Sequence, residues 1–241
     1  MSEGQQGQGA FSAATGRGLE NDGGKPRYLD YQRELIGAHC GRSVLEIGAG
    51  LGEFAEGFTG RDRYVITDVD PEAVRRVEVR FAGRPEVEAR QFDVDGGDVL
   101  DDPVDSLLAI NVLEHIEDDA DALRSLAKSL RAGGNVILFV PGYMQLYGEF
   151  DRKVGHHRRY TPATLRHTCE RAGLVVDVAK PVNFLGAFAW WAAVRKGGAG
   201  APNPKLVGIY DRFVVPITRF VEKLVPVPFG QSVLCVARKP G

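Results

Sequence analysis

Glycines at every second position, with carboxylates before and after them, form the most informative pattern in this sequence. The apolar run that contains Glu46 ends in Gly48, Gly50 and Gly52, and an amphipathic helical pattern follows. A buried strand that turns sharply into a helix needs glycine there, because a Cβ would block the turn and the approach of a ligand. Asp68 ends the next β-rich run, where a carboxylate can accept hydrogen bonds from both hydroxyls of a ribose. These residues predict a nucleoside site.

Titratable and cationic side chains concentrate further along the chain. Three of the five histidines lie in segments that follow predicted strands, near the edge of the sheet where those strands end. These are His115, His156 and His157. The pKa of histidine lies near physiological pH, so each is a candidate general base that could take the proton from a substrate hydroxyl group. Arg158 and Arg159 follow directly, and a guanidinium can hold a phosphate or carboxylate through two hydrogen bonds. The alternative is structural, because Asp151 can pair with either arginine and simply fix the loop.

The elements that must position these residues alternate between strand and helix. The patterns predict an entry helix at Lys25–His39, later helices at Pro71–Phe81 and Asp118–Arg131, and one that begins at Thr161 and ends at Gly173. Strands are predicted at Val44–Ile47, Arg63–Asp68, Val87–Phe92, Ser106–Ile110, Asn135–Val140, Leu174–Val178 and Ser232–Arg238. This order predicts an α/β fold with a doubly wound, mostly parallel seven-stranded sheet.

The motifs, taken in order, resemble those of class I S-adenosylmethionine-dependent methyltransferases. The glycine pattern E-x-G-x-G-x-G is similar to the first motif of that family, and Leu130-x-x-Gly133-Gly134 before an apolar strand is a frequent family signature. A dinucleotide fingerprint would instead need a third glycine where Glu53 stands. The resemblance covers residues from about 25 to 240 and implies a seventh, antiparallel strand between the fifth and sixth.

The resemblance also implies roles for the donor-side residues, with S-adenosylmethionine as the cofactor. Asp68 and its neighbour Val69 would hold the ribose end, Asp93 would meet the adenine amine, and Val94 would pack on the ring. Asn111, after the fourth strand, would lie beside the methionine part. Tyr28, on the entry helix, is available to cover the nucleoside. The reaction would be an in-line SN2 transfer of the methyl group, in which proximity and orientation supply most of the rate.

Two alternatives to an active methyltransferase remain open. One is an NAD(P)-dependent oxidoreductase, which the missing third glycine and the acidic motif after the third strand disfavour. The other is a non-catalytic methyltransferase-like protein that binds the donor and serves as a partner. Each motif taken singly also occurs as scaffold in doubly wound domains, so the prediction depends on the ordered set.

Two segments outside the donor scaffold, 142–160 and 184–230, are expected to define the substrate. Their candidate substrate contacts are Tyr143, Tyr147, Asp151, Arg158, Arg159, Tyr160 and Trp190. The second segment is predicted to insert a helical lid before the last strand, with an amphipathic helix kinked or split at Pro216. Its apolar stripe could be a lid, a homodimer face or a peripheral membrane contact, and the first two are favoured. The acceptor is expected to be a small, anionic or amphiphilic metabolite of natural-product, isoprenoid or sugar type.

Composition predicts one domain over residues 25–241 after a disordered tail at 1–24. The chain is 44% hydrophobic and 26% charged, as is ordinary for a globular protein, and no apolar run is long enough to span a membrane. Residues 1–150 carry a net charge of −12 and residues 151–241 one of +10, which suits either an anionic partner or two complementary halves. Cys40, Cys169 and Cys235 are expected to be buried thiols in the cytoplasm. Neither a metal site nor nucleic-acid binding is predicted.

Overall fold

The computed structural model describes residues 25–197 and 204–241, so the predicted tail at 1–24 lies outside the described residues. The strands are β1 (Ser43–Ile47), β2 (Arg63–Asp68), β3 (Val87–Gln91), β4 (Val104–Ile110), β5 (Leu130–Pro141), β6 (Val175–Val182) and β7 (Ser232–Arg238). The helices are α1 (Pro26–Gly37), α2 (Glu53–Glu56), α3 (Pro71–Arg80), α4 (Asp119–Leu126), α5 (Glu149–Val154), α6 (Pro162–Arg171), α7 (Phe184–Gly197), α8 (Pro204–Ile209) and α9 (Val215–Leu224).

The seven strands form one sheet in the order β3-β2-β1-β4-β5-β7-β6. β7 runs antiparallel to both of its neighbours, whereas the pairings among β1 to β5 are parallel. The predicted sheet, with its last strand between the fifth and sixth, is therefore confirmed. The carboxyl ends of β1, β2, β4, β5 and β6 all reach one edge, where ligands of open α/β sheets bind.

Apolar side chains of the central strands alternate between two core layers. On β5, for example, Val136 and Leu138 face one layer, and Ile137 and Phe139 face the other. Helices α4 and α6 cover the first layer, and α1, α2 and α3 cover the second together with part of α9. A strand buried on both faces must be apolar on both faces, which explains the continuous apolar runs in the sequence.

The fourth helix and the fifth strand differ from the prediction. The helix was expected to run to Arg131 and to stop at Gly133, but α4 ends at Leu126 and β5 already begins at Leu130. The two glycines lie inside β5, where the pairing with β4 shifts between Val104 and Ser106. A Cβ on Gly134 would lie 3.0 Å from two backbone carbonyl oxygens, so the glycines permit a bulge in the strand.

The sixth strand extends beyond its predicted end at Val178 to Val182, and so includes Pro181. Proline lacks a ladder donor, but β6 is an edge strand that pairs only with β7, so its other side needs none. The described cysteines are free, although Cys40 is half-buried and not buried as predicted. Among residues 25–197 and 204–241, no helix has the length and apolar character needed to cross a bilayer.

The helix predicted to be kinked or split at Pro216 is interrupted just before that residue, where a π-helical turn over Tyr210–Val214 joins α8 to α9. Pro216 has no N–H to donate to the carbonyl of Arg212, four residues earlier. The Arg27 guanidinium donates to that carbonyl at 2.7 Å instead. This contact joins residues 204–224, which we call the lid segment, to the first turn of α1.

Candidate functional site

The glycine loop after β1 is bonded to the end of β2. Gly48, Gly50 and Gly52 all have positive φ, and the N–H of Gly50 donates to Oδ2 of Asp68 at 2.8 Å. Oδ1 of Asp68 accepts the N–H of Asp70 at 3.0 Å, so backbone donors orient both carboxylate oxygens. The buried Asp68 therefore lies where the loop and the strand end meet, as a ribose-binding carboxylate requires.

Glu46, predicted to contact the donor, lies within the sheet below the glycine loop. Its carboxylate is buried and accepts a hydrogen bond from the Tyr64 hydroxyl on β2. Burial, and next the charge of Glu46, raises the pKa of Tyr64. The structure thus places Glu46 where it joins β1 to β2 beneath the loop.

Three further side chains predicted to contact the donor, those of Val69, Asp93 and Val94, lie at the ends of β2 and β3. Val69 is 47% exposed, and Val94 is half-buried against the core. Asp93 is exposed, and its Oδ1 accepts the N–H of Asp95 at 3.0 Å. Asp93 therefore caps the turn after β3.

Tyr28, on α1, lies against the π turn of the lid segment. Its ring is 6.2 Å from that of Tyr31 and 6.4 Å from that of Tyr210, measured between centroids. Its backbone N–H donates to Asp211 at 2.9 Å. The helix that was predicted to cover the donor is thus attached to the lid segment.

Backbone strain is concentrated at the same sheet edge. Asn111, Tyr143 and Asn183 are the non-glycine residues with positive φ in the described chain, and they follow β4, β5 and β6. Such strain costs energy and is kept where surrounding contacts enforce it, often at functional sites. Here the N–H of Asn111 donates to Phe139 at 2.8 Å and that of Tyr143 to Tyr160 at 2.8 Å.

Two of the three candidate histidines meet, and the third lies apart. The rings of His115 and His156 are edge to face, with centroids 4.7 Å apart, and Nε2 of His156 is 3.8 Å from a carboxylate oxygen of the buried Glu114. His157 has an exposed side chain, and its backbone N–H donates to the carbonyl of Glu114 at 2.8 Å. Adjacent residues in an extended segment point to opposite sides, so only one histidine of the pair can enter the cluster.

A buried carboxylate holds this histidine in place. Nδ1 of His156 donates to Oδ1 of Asp151 at 2.8 Å, and Arg159 donates to the two oxygens of Asp151 at 2.7 and 3.1 Å. Burial would raise the pKa of Asp151, but the hydrogen bonds from His156 and Arg159 hold that pKa below its usual range. Because an ionised carboxylate only accepts, Nδ1 of His156 is the donor in this hydrogen bond.

The arginines and Tyr160, predicted to contact substrate, bind other parts of the protein. Arg159 is buried and its guanidinium carbon lies 5.2 Å from the centre of the Trp190 ring. Arg158 pairs with Asp119 at 2.9 Å, and the buried Tyr160 hydroxyl donates to the same carboxylate at 2.9 Å. Tyr143 and Tyr147 donate through their hydroxyls to the carbonyls of Pro228 and His156. The structure therefore uses Asp151, Arg158, Arg159 and Tyr160 to build the loop.

The histidine cluster also has the donor set of a metal site. Ligand atoms of Glu114, His115 and His156 all lie within 4.8 Å of one another, and two imidazoles with one carboxylate suit divalent transition metals. Spacing along the chain predicted no metal, because these ligands come from two segments, one after β4 and one after β5. No pattern in the sequence indicates Glu114, because its burial depends on the packing of segments that are distant in sequence.

Asn183 is a second residue that the sequence analysis missed. Its backbone N–H donates to the Tyr31 hydroxyl at 2.9 Å. Its side-chain Nδ2 donates to Gln231 at 2.7 Å, and its Oδ1 accepts from the Tyr210 hydroxyl at 2.6 Å. It therefore joins β6 to α1, to the π turn and to the start of β7. The available signal was an asparagine directly after an apolar strand, since asparagine tolerates positive φ better than most residues.

Comparison with known proteins agrees with this geometry. Residues 21–178 match a family model described as a methyltransferase domain. The ubiquinone biosynthesis O-methyltransferase of Alkalilimnicola ehrlichii is 35% identical over 116 residues, which are 46% of this chain and 47% of that protein. The match thus spans about half the length of this curated relative.

Solved structures share the fold. A chain of the complex between the Haloferax volcanii Trm112 methyltransferase activator and a methyltransferase has a TM-score of 0.65 and 17% identity, with 95% of this chain and 94% of that chain covered. Geranyl diphosphate methyltransferase, in complex with GPP and sinefungin, has a TM-score of 0.60 and 12% identity, with 87% and 77% covered. These identities show the fold alone, whereas the family model matches more than half of the chain. The chain therefore belongs to the methyltransferase-domain family, and this membership implies a donor of the S-adenosylmethionine type.

Proposed function

We propose that this protein transfers a methyl group from S-adenosylmethionine to a hydroxyl group of a small amphiphilic metabolite. The family membership supports the donor, whose sulfonium supplies an electrophilic methyl group. The bonded pair of Gly50 and Asp68 supports a ribose site at the edge of the sheet. The name of the Alkalilimnicola relative supports a hydroxyl acceptor, although that name describes only the relative.

His156 is proposed as the general base that takes the acceptor's proton. The observation that carries this proposal is the 2.8 Å hydrogen bond from Nδ1 of His156 to Asp151, which orients the ring with Nε2 toward the carboxylate of Glu114, 3.8 Å away. The imidazolium that forms would lie between Asp151 and Glu114, two carboxylates that stabilise its charge. His115, edge-on to this ring and less buried, is proposed to line the acceptor site.

The pairing of the two arginines supports a different acceptor from the anionic one that was expected. An anionic acceptor was expected because Arg158 and Arg159 could bind it, but both guanidiniums are paired with carboxylates of the chain. Aromatic rings lie beside Arg159, whose guanidinium is 5.2 Å from the centre of the Trp190 ring, and the rings of Trp190 and Phe150 are edge to face at 5.1 Å between centroids. We therefore propose an acceptor with an apolar body.

Calorimetric titration with S-adenosylhomocysteine, and with NAD and NADP as controls, tests the donor. We expect binding of S-adenosylhomocysteine alone. Binding of a dinucleotide would assign an oxidoreductase, and donor binding without transfer to any hydroxylated apolar compound would assign a non-catalytic role. The transfer itself is measured as incorporation of a labelled methyl group.

A pair of histidine variants tests the base. His156→Gln should lower kcat by about 100-fold or more and remove the rise of kcat/KM with pH, because general-base catalysis contributes about that much. His157→Gln is the matched control, since this neighbour is exposed, and should leave both unchanged. Equal rates in the two variants would remove His156 from the mechanism.

The metal donor set gives a second candidate chemistry for the same cluster. A divalent metal held by Glu114, His115 and His156 would polarise the acceptor oxygen directly. Treatment with a chelator distinguishes the two. A rate that persists assigns His156 as a proton acceptor, and a rate that is lost and then restored by Zn²⁺ or Mn²⁺ assigns the metal.

A further inference from the structure

The lid segment, residues 204–224, exposes large apolar side chains to solvent. Six of these side chains are between 54% and 66% exposed, and we call them the outer stripe: Leu206, Ile209, Phe213, Ile217, Phe220 and Leu224. They recur at steps of three and four residues, so they follow one face of α8, the π turn and α9. At 1.5 Å per residue the outer stripe is about 27 Å long.

The opposite face of this segment points inward and carries two acidic side chains. Asp211, Val215 and Thr218 are buried, and Glu222 is half-buried. The two acids accept hydrogen bonds from the backbone N–H groups of Arg27, Tyr28 and Phe184 and from the Tyr31 hydroxyl. An ordinary surface helix turns mainly polar side chains to solvent, whereas this segment exposes a stripe of large apolar side chains. Such an exposed apolar surface marks an interaction site.

A row of cations runs along one side of the outer stripe. Lys205, Arg212, Arg219 and Lys223 are spaced by seven, seven and four residues, which places them on one side of the helix. Glu34 on α1 accepts from Arg219 at 2.5 Å and from Lys223 at 2.6 Å, and so offsets part of this charge. Because both acids of the segment bond inward, its outer surface is apolar and cationic.

We propose that the outer stripe docks this protein on an anionic lipid surface, with the segment lying in the plane of the membrane. Apolar side chains would enter the boundary between headgroups and acyl chains, and the cation row would meet lipid phosphates. A second copy of the chain fits this surface less well, because neither acid of its own segment is turned outward to meet the cations. The proposal does not depend on methyl transfer, and the surface lies outside residues 21–178, which the family model matches.

Co-sedimentation with lipid vesicles tests the proposal on the full chain. Vesicles of phosphatidylcholine with phosphatidylglycerol should bind the protein, and vesicles of phosphatidylcholine alone should bind it less. Added salt should weaken the binding, because it screens the attraction between cations and phosphates. Absence of binding to both kinds of vesicle would overturn the proposal.

Two variants separate the apolar and cationic parts. Ile217→Ser with Phe220→Ser should lower the partition coefficient about tenfold or more, because two apolar side chains no longer enter the lipid. Arg212→Gln with Lys223→Gln should lower it about fivefold for each cation. Val79→Ser is the matched control, because Val79 is 80% exposed on α3 and lies outside the stripe. An equal loss in the control would overturn the assignment to this segment.

Sedimentation equilibrium without lipid distinguishes a second copy as the occupant. A dimer that the Ile217→Ser and Phe220→Ser variant dissociates, together with no vesicle binding, would overturn the proposal and assign the stripe to self-association. Melting temperature and calorimetric binding of S-adenosylhomocysteine should match the wild type in all variants, which shows that they fold. Vesicle binding by a protein that does not bind this ligand would uphold the docking surface while the proposed function fails.

Discussion

The proposed donor site and the proposed acceptor site lie along the same edge of the sheet but are built in different ways. We call these two parts of it the donor edge and the acceptor edge. At the donor edge, Gly50 and Asp68 bond across 18 residues, within one strand–loop–helix–strand unit. At the acceptor edge, the cluster joins Glu114, from the turn after β4, to His156, from the segment after β5. The first arrangement is local and repeats a backbone geometry, whereas the second depends on how separate segments pack. Spacing in the sequence can therefore report the first but not the second.

Replacing Asp151, on the acceptor edge, should cause the largest loss of unfolding free energy. Asp151→Asn leaves the buried Arg159 without its carboxylate, and breaking a buried ion pair costs about 3–5 kcal/mol of unfolding free energy. Urea denaturation at pH 7 measures it. Asp177→Asn is the control, because Asp177 and Arg238 are both 44% exposed and such pairs contribute about 0–1 kcal/mol. Similar losses in the two variants would show that the acceptor edge is not held by this carboxylate.

The pH dependence of that difference has a definite sign. The pKa of Asp151 is lower in the folded chain than its ordinary value of about 3.9. Its contribution is therefore fully present above that ordinary value and is lost as the pH falls through the lower folded pKa. The stability gap between wild type and Asp151→Asn should stay constant from pH 7 to about pH 5 and close in stronger acid. A gap that instead closes toward alkaline pH would contradict the ionised carboxylate.

The donor edge should be most sensitive at Gly52. This residue has φ +75°, and a Cβ there would lie 2.7 Å from the Phe81 ring, so Gly52→Ala combines backbone strain with overpacking and should cost about 2–4 kcal/mol. Gly97→Ala is the matched control, because φ is +82° but no atom lies within 4 Å of the new Cβ, and about 1–2 kcal/mol is expected. Thermal unfolding of both measures the difference, which isolates the contact from the strain.

Much of the fold could be predicted because its signals are local. The run at Ser232–Arg238 is apolar enough to be recognised as a strand, and its observed bounds are the predicted ones. The misplaced end of α4 has a physical cause, since Gly133 and Gly134 suit a helix stop and a strand bulge equally well, and only the pairing with β4 decides. At the site, Asp151 had two arginine partners available in the sequence. Packing against Trp190 places Arg159 beside it, and Asp119 takes Arg158.

Replacing Asp68 tests whether the local motif binds the donor. Asp68→Ala should weaken S-adenosylhomocysteine binding by about 1–3 kcal/mol, because a buried donor or acceptor left without its partner costs about that much. Calorimetry measures it, with Asp62→Ala as the control, since Asp62 is exposed and pairs only with Arg42 on the surface. Unchanged affinity would leave Asp68 as a support for Gly50 and would weaken the contrast between the two edges.

The smallest expected effect is at Thr161, on the acceptor edge. A helix was predicted to begin at this residue, and its hydroxyl accepts the N–H of Thr164 at 3.2 Å, as the N-cap of α6. Thr161→Ala should cost about 1 kcal/mol, the usual loss for an N-cap, whereas Thr59→Ala, at an exposed position outside any helix, should cost less than about 0.5 kcal/mol. Urea denaturation resolves this difference. If the cap loss also lowers methyl transfer, α6 positions the neighbouring Tyr160 and Arg159, and local and packed parts of the acceptor edge act together. If stability falls and transfer does not, the packed cluster keeps its geometry without the cap, because Asp151 holds it from the other side.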